Sequence, residues 1–141
     1  MDDPKAFNAQ MIDEFRENGG KVGGMFDGTP LLLLTSKGVK SGQTRIAPLA
    51  YTRDGDRYVV IASRGGAPRH PDWYYNLKSD PNVTIEVGSQ SQQAVANEET
   101  GEERDRLYDQ MAKVMPGFAE YQRGTDRVIP LFTLSAVNET T

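Results

Sequence analysis

A basic turn that contains two glycines is the segment of this 141-residue sequence best suited to chemistry. It follows a run of four leucines and contains Lys37, Gly38, Lys40, Gly42 and Arg45. Glycine lets the backbone adopt a positive φ and approach a ligand closely. The basic side chains surround the exposed N–H groups with positive charge, which suits a phosphate or a carboxylate. The turn is therefore a candidate anion-binding site.

The charge of the chain is unevenly distributed around this turn. Residues 37–70 contain seven basic and two acidic residues, whereas the rest of the chain contains nine basic and 18 acidic residues. A basic island in a chain of net charge −4 indicates one local anionic partner. The alternative, that these are ordinary solvated charges of a hairpin, stays open on charge alone. A nucleic-acid module with a stacking platform at Trp73, Tyr74 and Tyr75 is disfavoured by the negative net charge.

The composition excludes several kinds of chemistry. The chain has no cysteine, so disulfides, zinc–thiolate sites, iron–sulfur clusters and cysteine nucleophiles are excluded. With His70 as the one histidine, we expect no metal site, and we expect His70 to fix its own loop. An enzyme of this composition would use a bound organic cofactor. We expect a single domain over residues 1–141, without a secretory signal and located in the cytoplasm.

The elements that position the turn can be predicted from hydrophobic spacing. Phe7, Met11, Ile12 and Phe15 predict an N-terminal helix within residues 1–20, ended by a glycine pair. Barrel strands and further helices are predicted over 31–137. The predicted strands are 31–36, 43–53, 57–64, 83–87, 92–97 and 128–137. The predicted helices are a short one over 73–77, capped by Asp72, and one over 98–115 whose inward face carries Leu107, Met111 and Val114 or Met115. Hairpin-rich strands with few helices predict an α+β fold, a closed or split β-barrel.

The basic turn does not match the common phosphate-binding motifs. A P-loop requires G-x-x-x-x-G-K-[ST], and a Rossmann fingerprint requires G-x-G-x-x-G at the start of a helix. Here the turn is predicted to join two strands, so neither ATP nor NAD has direct support.

Four segments in one register resemble a known family. They are the turn 31–48, the Ala-Ser-Arg-Gly-Gly-Ala stretch 62–67, the His-Pro-Asp-Trp-Tyr-Tyr-Asn-Leu stretch 70–77, and the segment 121–130. Together they resemble the deazaflavin-dependent nitroreductases of actinobacteria, a family that includes F420H2-dependent quinone reductases. The resemblance covers residues 31–130 and implies a split β-barrel, related to the FMN-binding one, that uses coenzyme F420.

The resemblance also implies a set of cofactor-binding residues. The anionic phosphodiester and oligoglutamate tail of F420 would be bound by Lys40, Arg45 and Arg64, with backbone N–H groups near the glycines. Pro48, Ala62 and Trp73 would form the apolar slot for the ring, although Trp73 could equally be part of the core. The implied cofactor-binding set is Lys40, Ser41, Gly42, Arg45, Pro48, Ala62, Ser63, Arg64, Gly65, Gly66 and Trp73.

The implied substrate pocket differs from the family pattern. Three positions at which the nitroreductases carry tyrosine read Ala50, Met115 and Phe118, while Tyr121 and Ser63 remain. A more apolar pocket favours a quinone or enone over a nitroimidazole as hydride acceptor. Tyr121, Ser63 or water would supply the proton.

Two other functions stay open at this point: an FMN-dependent enzyme of the same barrel, and a non-catalytic F420 carrier. The N-terminal helix raises a further question, because relatives that reduce quinones work near membranes. Its acidic residues Asp13, Glu14 and Glu17 would be repelled by anionic lipid. We therefore expect the helix to pack on the barrel or cover the pocket. A weak peripheral contact with the inner face of the membrane, and the choice between monomer and dimer, are left open.

Overall fold

The structure is a computed structural model that describes residues 4–21, 30–39, 42–62, 70–125 and 128–137, with side chains from Ala9 onward. In this part of the chain the elements are α1 (Pro4–Glu17), β1 (Leu31–Lys37), β2 (Thr44–Ala50), β3 (Thr52–Asp54), β4 (Arg57–Ile61), α2 (Asp72–Ser79), β5 (Asn82–Val87), β6 (Gln90–Glu99), α3 (Gly101–Val114), α4 (Gly117–Arg123) and β7 (Leu131–Ala136).

The seven strands form one antiparallel sheet in the order β2-β1-β5-β6-β7-β4-β3. Its two edge strands, β2 and β3, are consecutive in the chain and separated by Tyr51 alone. The sheet must therefore curl until its edges meet, which makes it a split β-barrel. The predicted α+β split-barrel fold is confirmed.

Side chains of β1 alternate between two apolar environments, as the pleat requires. Leu32 and Leu34 lie in the barrel interior, while Leu31 and Leu33 lie on the outer face. There α1 covers them with Met11 and Phe15, which are 6% and 1% exposed. The continuous leucine run is thus explained by burial on both faces, and α1 packs on the barrel as predicted. The side chain of Phe7 lies outside the described residues.

A second helix covers the outer face of β4 and β7. Leu107, Tyr108 and Met111 of α3 pack there against Val59 and Ile61. We call this group, completed by Ile129 and Leu131, the α3 cluster. Met115 rather than Val114 packs against it, because Val114 is 59% exposed.

Several predicted boundaries were wrong. The predicted strand 43–53 is divided at Tyr51, because residues before it pair with β1 and residues after it pair with β4. The residues at 98–99 pair with β7 and so belong to β6, and the final strand is limited to Leu131–Ala136. Pro71, not Asp72, occupies the N-cap of α2. The short helix α4 was not predicted.

Candidate functional site

The basic turn joins β1 to β2, as predicted, and is closed by two backbone hydrogen bonds. Gly38 N–H donates to Gln43 O at 2.7 Å, and Gly42 N–H donates to Gly38 O at 2.8 Å. Gly42 has φ +70°, a backbone conformation that would be strained in a residue with a side chain. The glycine is thus required by the backbone of the turn itself. Lys40 and Ser41, both predicted to bind cofactor, lie outside the described residues.

The strand register directs the charges of the turn to different faces. Ser36 pairs with Arg45, and Lys37 pairs with Thr44. Directly paired residues share a face of the sheet and neighbours in a strand alternate, so Lys37 and Arg45 point to opposite faces. Both side chains are exposed. Arg45 is therefore on the face of Ser36, towards α2.

A buried asparagine anchors the turn to α2. Asn76, 4% exposed, accepts a hydrogen bond from Val39 N–H on Oδ1 at 3.0 Å. Its Nδ2 donates to Ser36 Oγ at 3.3 Å. The sequence analysis placed Asn76 in a matching segment without giving it a role. A polar residue between the apolar positions of a short helix was the available signal, since buried amides require partners.

The edges of the curled sheet meet at a seam between β2 and β4. Within the described residues β3 pairs only with Arg57–Val59 of β4, and β2 lies close to β4. Ala50 lies at this seam. It packs against the cluster that α1 forms with β1, and also against the α3 cluster. By strand alternation Pro48 shares the outer face of β2 with Ala50.

Three of the predicted acceptor-pocket residues pack against one cluster beside this seam. Ala50, Met115 and Phe118 are half-buried and all pack against the α3 cluster. Tyr121 joins them through the Phe118 ring, with centroids 5.6 Å apart and planes at 88°. Tyr121 is 36% exposed, so its hydroxyl-bearing ring lies at the border with solvent. Residues that are distant in the sequence thus form one apolar surface with one tyrosine at its rim.

Ala62 and Trp73 lie in a different place, the barrel interior. Trp73 is 8% exposed and its ring is 5.8 Å from that of Phe132, so it packs as a core residue. Ala62 N–H donates to Pro130 O at 2.9 Å. Whether either residue contacts the cofactor ring stays a prediction. Ser63, Arg64, Gly65 and Gly66 lie outside the described residues.

His70 makes an aromatic contact. Its ring lies 4.3 Å from the Tyr74 ring and 6.0 Å from the Tyr75 ring. This packing holds the residue against α2 and agrees with the expected structural role.

Two members of the basic island are used to fasten the hairpin β3–β4. Arg57 forms ion pairs with Asp54, Glu99 and Glu103, and Arg106 of α3 pairs with the same Asp54. Hydrogen bonds from Arg106, and to a smaller extent from Arg57, lower the pKa of Asp54 below its ordinary value. Arg53 lies over the Tyr58 ring at 4.4 Å. For Arg53 and Arg57 the structural interpretation of the basic island holds, whereas Lys37 and Arg45 of the β1–β2 turn are exposed.

The described residues contain no cluster of three or more acidic or histidine side chains that could hold a metal ion. Among the helices of that same part of the chain, none combines the length and apolar character needed to cross a bilayer.

Comparison with known proteins shows which family this chain resembles. Residues 9–136 match the family model described as F420H(2)-dependent quinone reductase. An F420H(2)-dependent quinone reductase of Mycobacterium tuberculosis is 38% identical over 125 residues, which are 86% of this chain and 84% of that protein.

Two solved structures are similar as well. One, an F420-H2 dependent reductase, has a TM-score of 0.70 at 39% identity and covers 75% of this chain and 94% of its own. The other, described as a domain-swapped dimer, has a TM-score of 0.72 at 34% identity and covers 94% of this chain and all of its own.

Proposed function

The chain belongs to the F420H(2)-dependent quinone reductase family, and from that premise we propose that it is a reductase that transfers a hydride from reduced F420 to a quinone. The observation that carries the proposal is the apolar surface of Ala50, Met115 and Phe118 beside the seam, with Tyr121 at its rim. A flat conjugated ring requires burial against such a surface more than it requires oriented hydrogen bonds.

The residues present fit an anionic cofactor. Exposed basic side chains lie on one hairpin whose turn is shaped by a positive-φ glycine, and such side chains bind phosphate and carboxylate. Reduced F420 supplies a hydride when it is bound. We propose that Arg45 and Lys40 hold its anionic portion, with Arg64 adding charge, Ser41, Gly65 and Gly66 adding N–H donors, and Gly42 allowing the backbone to approach the ligand. For the ring we propose Pro48 on the outer face of β2; Ala62 and Trp73, also predicted for the ring slot, lie in the barrel interior on the other face of the sheet.

The side chains of the acceptor pocket would orient the quinone and exclude water. The quinone gains one hydride and one proton and becomes a hydroquinone, so a proton source is required beside the pocket. Tyr121 is the described residue whose hydroxyl is placed at the rim, and Ser63 and water are the other candidates. Because Met115 and Phe118 bring no hydroxyl, we also propose that quinones and enones are reduced better than nitroimidazoles.

Spectral titration with F420 and FMN, followed by turnover assays, tests this function. We expect saturable F420 binding, much weaker FMN binding, and oxidation of F420H2 in the presence of a soluble quinone. Tight binding of F420 without turnover of any quinone or enone would instead identify a cofactor carrier. Preference for FMN would contradict the assignment of cofactor.

We propose further that the chain works in the cytoplasm without a lipid contact through α1, because Met11 and Phe15 are already buried on the barrel. Sedimentation with anionic vesicles tests this: the protein should stay in the supernatant. The relative described as a domain-swapped dimer makes a dimer the first assembly to test, by light scattering.

A further inference from the structure

A buried guanidinium lies between α3 and the start of β7. Arg104 is 9% exposed, and its Nε and Nη2 donate to Ile129 O at 3.2 and 2.9 Å. Its Nη2 also donates to Gln122 Oε1 at 2.6 Å. The charge lies 4.3 Å from the centre of the Tyr108 ring. The guanidinium also pairs with Asp105, whose side chain is 72% exposed, so this ion pair contributes little.

The arrangement joins three separate segments. Gln122 of α4 accepts from Arg104 and also accepts from Ile129 N–H at 3.0 Å, so one amide oxygen ties the helix to the strand. The Tyr108 hydroxyl donates to Phe118 O at 2.6 Å, at the other end of α4. Both ends of this seven-residue helix are therefore held by α3.

The segment at Ile129 and Pro130 also contacts the end of β4, which precedes the predicted cofactor-binding residues. Ile129 precedes Pro130, whose carbonyl accepts the hydrogen bond from Ala62 N–H. Ala62 is the last described residue before the predicted cofactor-binding residues 63–66. Two hydrogen bonds and the Ile129–Pro130 peptide thus connect α4, which carries Phe118 and Tyr121, to the end of β4, which precedes the predicted cofactor-binding residues.

We propose that Arg104 is a positioning residue that sets the distance between the acceptor pocket and the cofactor. The inference rests on the proposed function. Only a guanidinium presents N–H groups in a fork that reaches a carbonyl and an amide oxygen together; a lysine ammonium has no such fixed geometry. Since hydride transfer depends steeply on the separation of the reacting atoms, a displaced α4 slows it even when both ligands bind.

Two variants test the proposal. Arg104→Lys keeps the charge and loses the fork, and Tyr108→Phe keeps the ring beneath the guanidinium and loses the hydroxyl that donates to Phe118 O. Val83→Ala, in the barrel interior away from α4, is the control for general loss of stability. F420 affinity, thermal midpoint, and kcat and KM for a soluble quinone are measured for each.

Both variants should bind F420 within about twofold of the wild type, while kcat/KM for the quinone falls about tenfold or more. The control should lose thermal stability and keep kcat/KM. If the wild type reduces quinones and the two variants match it, or if all three variants lose activity in proportion to their thermal midpoints, the positioning role is wrong. Should Arg104→Lys not fold, Gln122→Ala, which removes the amide oxygen that Arg104 contacts in α4, takes its place with the same expected result. A wild type that binds F420 and reduces no quinone would refute the proposed function instead, before any variant is compared.

Discussion

The carboxamide of Asn76 holds the backbone of Val39 at 3.0 Å, although the two residues are 37 positions apart. Through this contact and the bond to Ser36, helix α2 fixes the shape of the basic turn from beneath. The Val39 side chain is 52% exposed, so the turn is anchored by its backbone while the side chains of Lys37, Val39 and Arg45 face solvent. This contact orders the turn that we propose as the anion site, and such order reduces the entropy that binding must overcome.

The first prediction concerns this anchor. Asn76→Ala should lower the free energy of unfolding by about 1–3 kcal/mol, because Val39 N–H and Ser36 Oγ lose a buried partner. F420 affinity should fall as well, since the turn becomes less ordered. Calorimetry and fluorescence titration measure the two effects. Ser79→Ala, on the exposed end of the same helix, is the control; unchanged F420 affinity in Asn76→Ala would show that the turn does not need the anchor.

The second prediction concerns the charge of the turn. Arg45→Ala should weaken F420 binding by about 1–3 kcal/mol, the range for charge-assisted hydrogen bonds, with little effect on stability because the side chain is exposed. Lys40→Ala is expected to behave in the same way. The matched control is Lys113→Ala, which removes an exposed cation from the outer side of α3. If Arg45→Ala, Lys40→Ala and Lys113→Ala all bound F420 with the same affinity, the turn would not be part of the cofactor site.

The third prediction concerns acceptor choice. Phe118→Tyr adds a hydroxyl beside Tyr121 and should shift the ratio of kcat/KM towards nitroimidazoles. Tyr121→Phe should lower kcat/KM for every acceptor, by about tenfold or more if its hydroxyl gives the proton. Steady-state oxidation of F420H2 with a quinone and a nitroimidazole measures both. A wild type that prefers the nitroimidazole would contradict the apolar-pocket argument, and an unaltered Tyr121→Phe would assign the proton to Ser63 or water.

The fourth prediction concerns pH. The pKa of Asp54 is lowered in the folded protein by hydrogen bonds from Arg106 and Arg57. Its ionised form therefore stabilises the fold at pH values above the ordinary carboxyl pKa of 3.8, and this contribution is lost as the pH falls through the lowered value.

Asp54→Asn should accordingly be less stable than the wild type near neutral pH, and the difference should disappear in acid. Urea unfolding at about pH 7 and at about pH 2 measures it. Asp56→Asn, in the same turn and exposed, is the control. A stability difference that is the same at both pH values would mean that the ion pairs with Arg57 and Arg106 do not stabilise the hairpin.

Much of this protein follows from local sequence signals. The leucine run at 31–34 predicted a strand buried on both faces, and the Asp-Gly-Asp turn predicted the hairpin in which Gly55 has φ +61°. The spacing of Met11 and Phe15 predicted the buried face of α1. These predictions succeeded because alternation, helical period and glycine conformations depend on residues close together in the chain. The four matching segments identified the family for the same reason, since each is a local pattern.

The tertiary structure decided what depends on partners distant in the sequence. The chain bends at Tyr51 because β2 and β3 pair with different strands, and no local signal marks that change. Ala50 and Phe118 pack against the same α3 cluster because the curled sheet and the helices bring both to it. Trp73 lies in the core, Arg57 fastens a hairpin, and Arg104 joins α3 to α4 and β7. The type of each of these residues allows a few structural roles, and long-range packing selects one of them. The burial and the partners of each side chain are set only when the sheet closes.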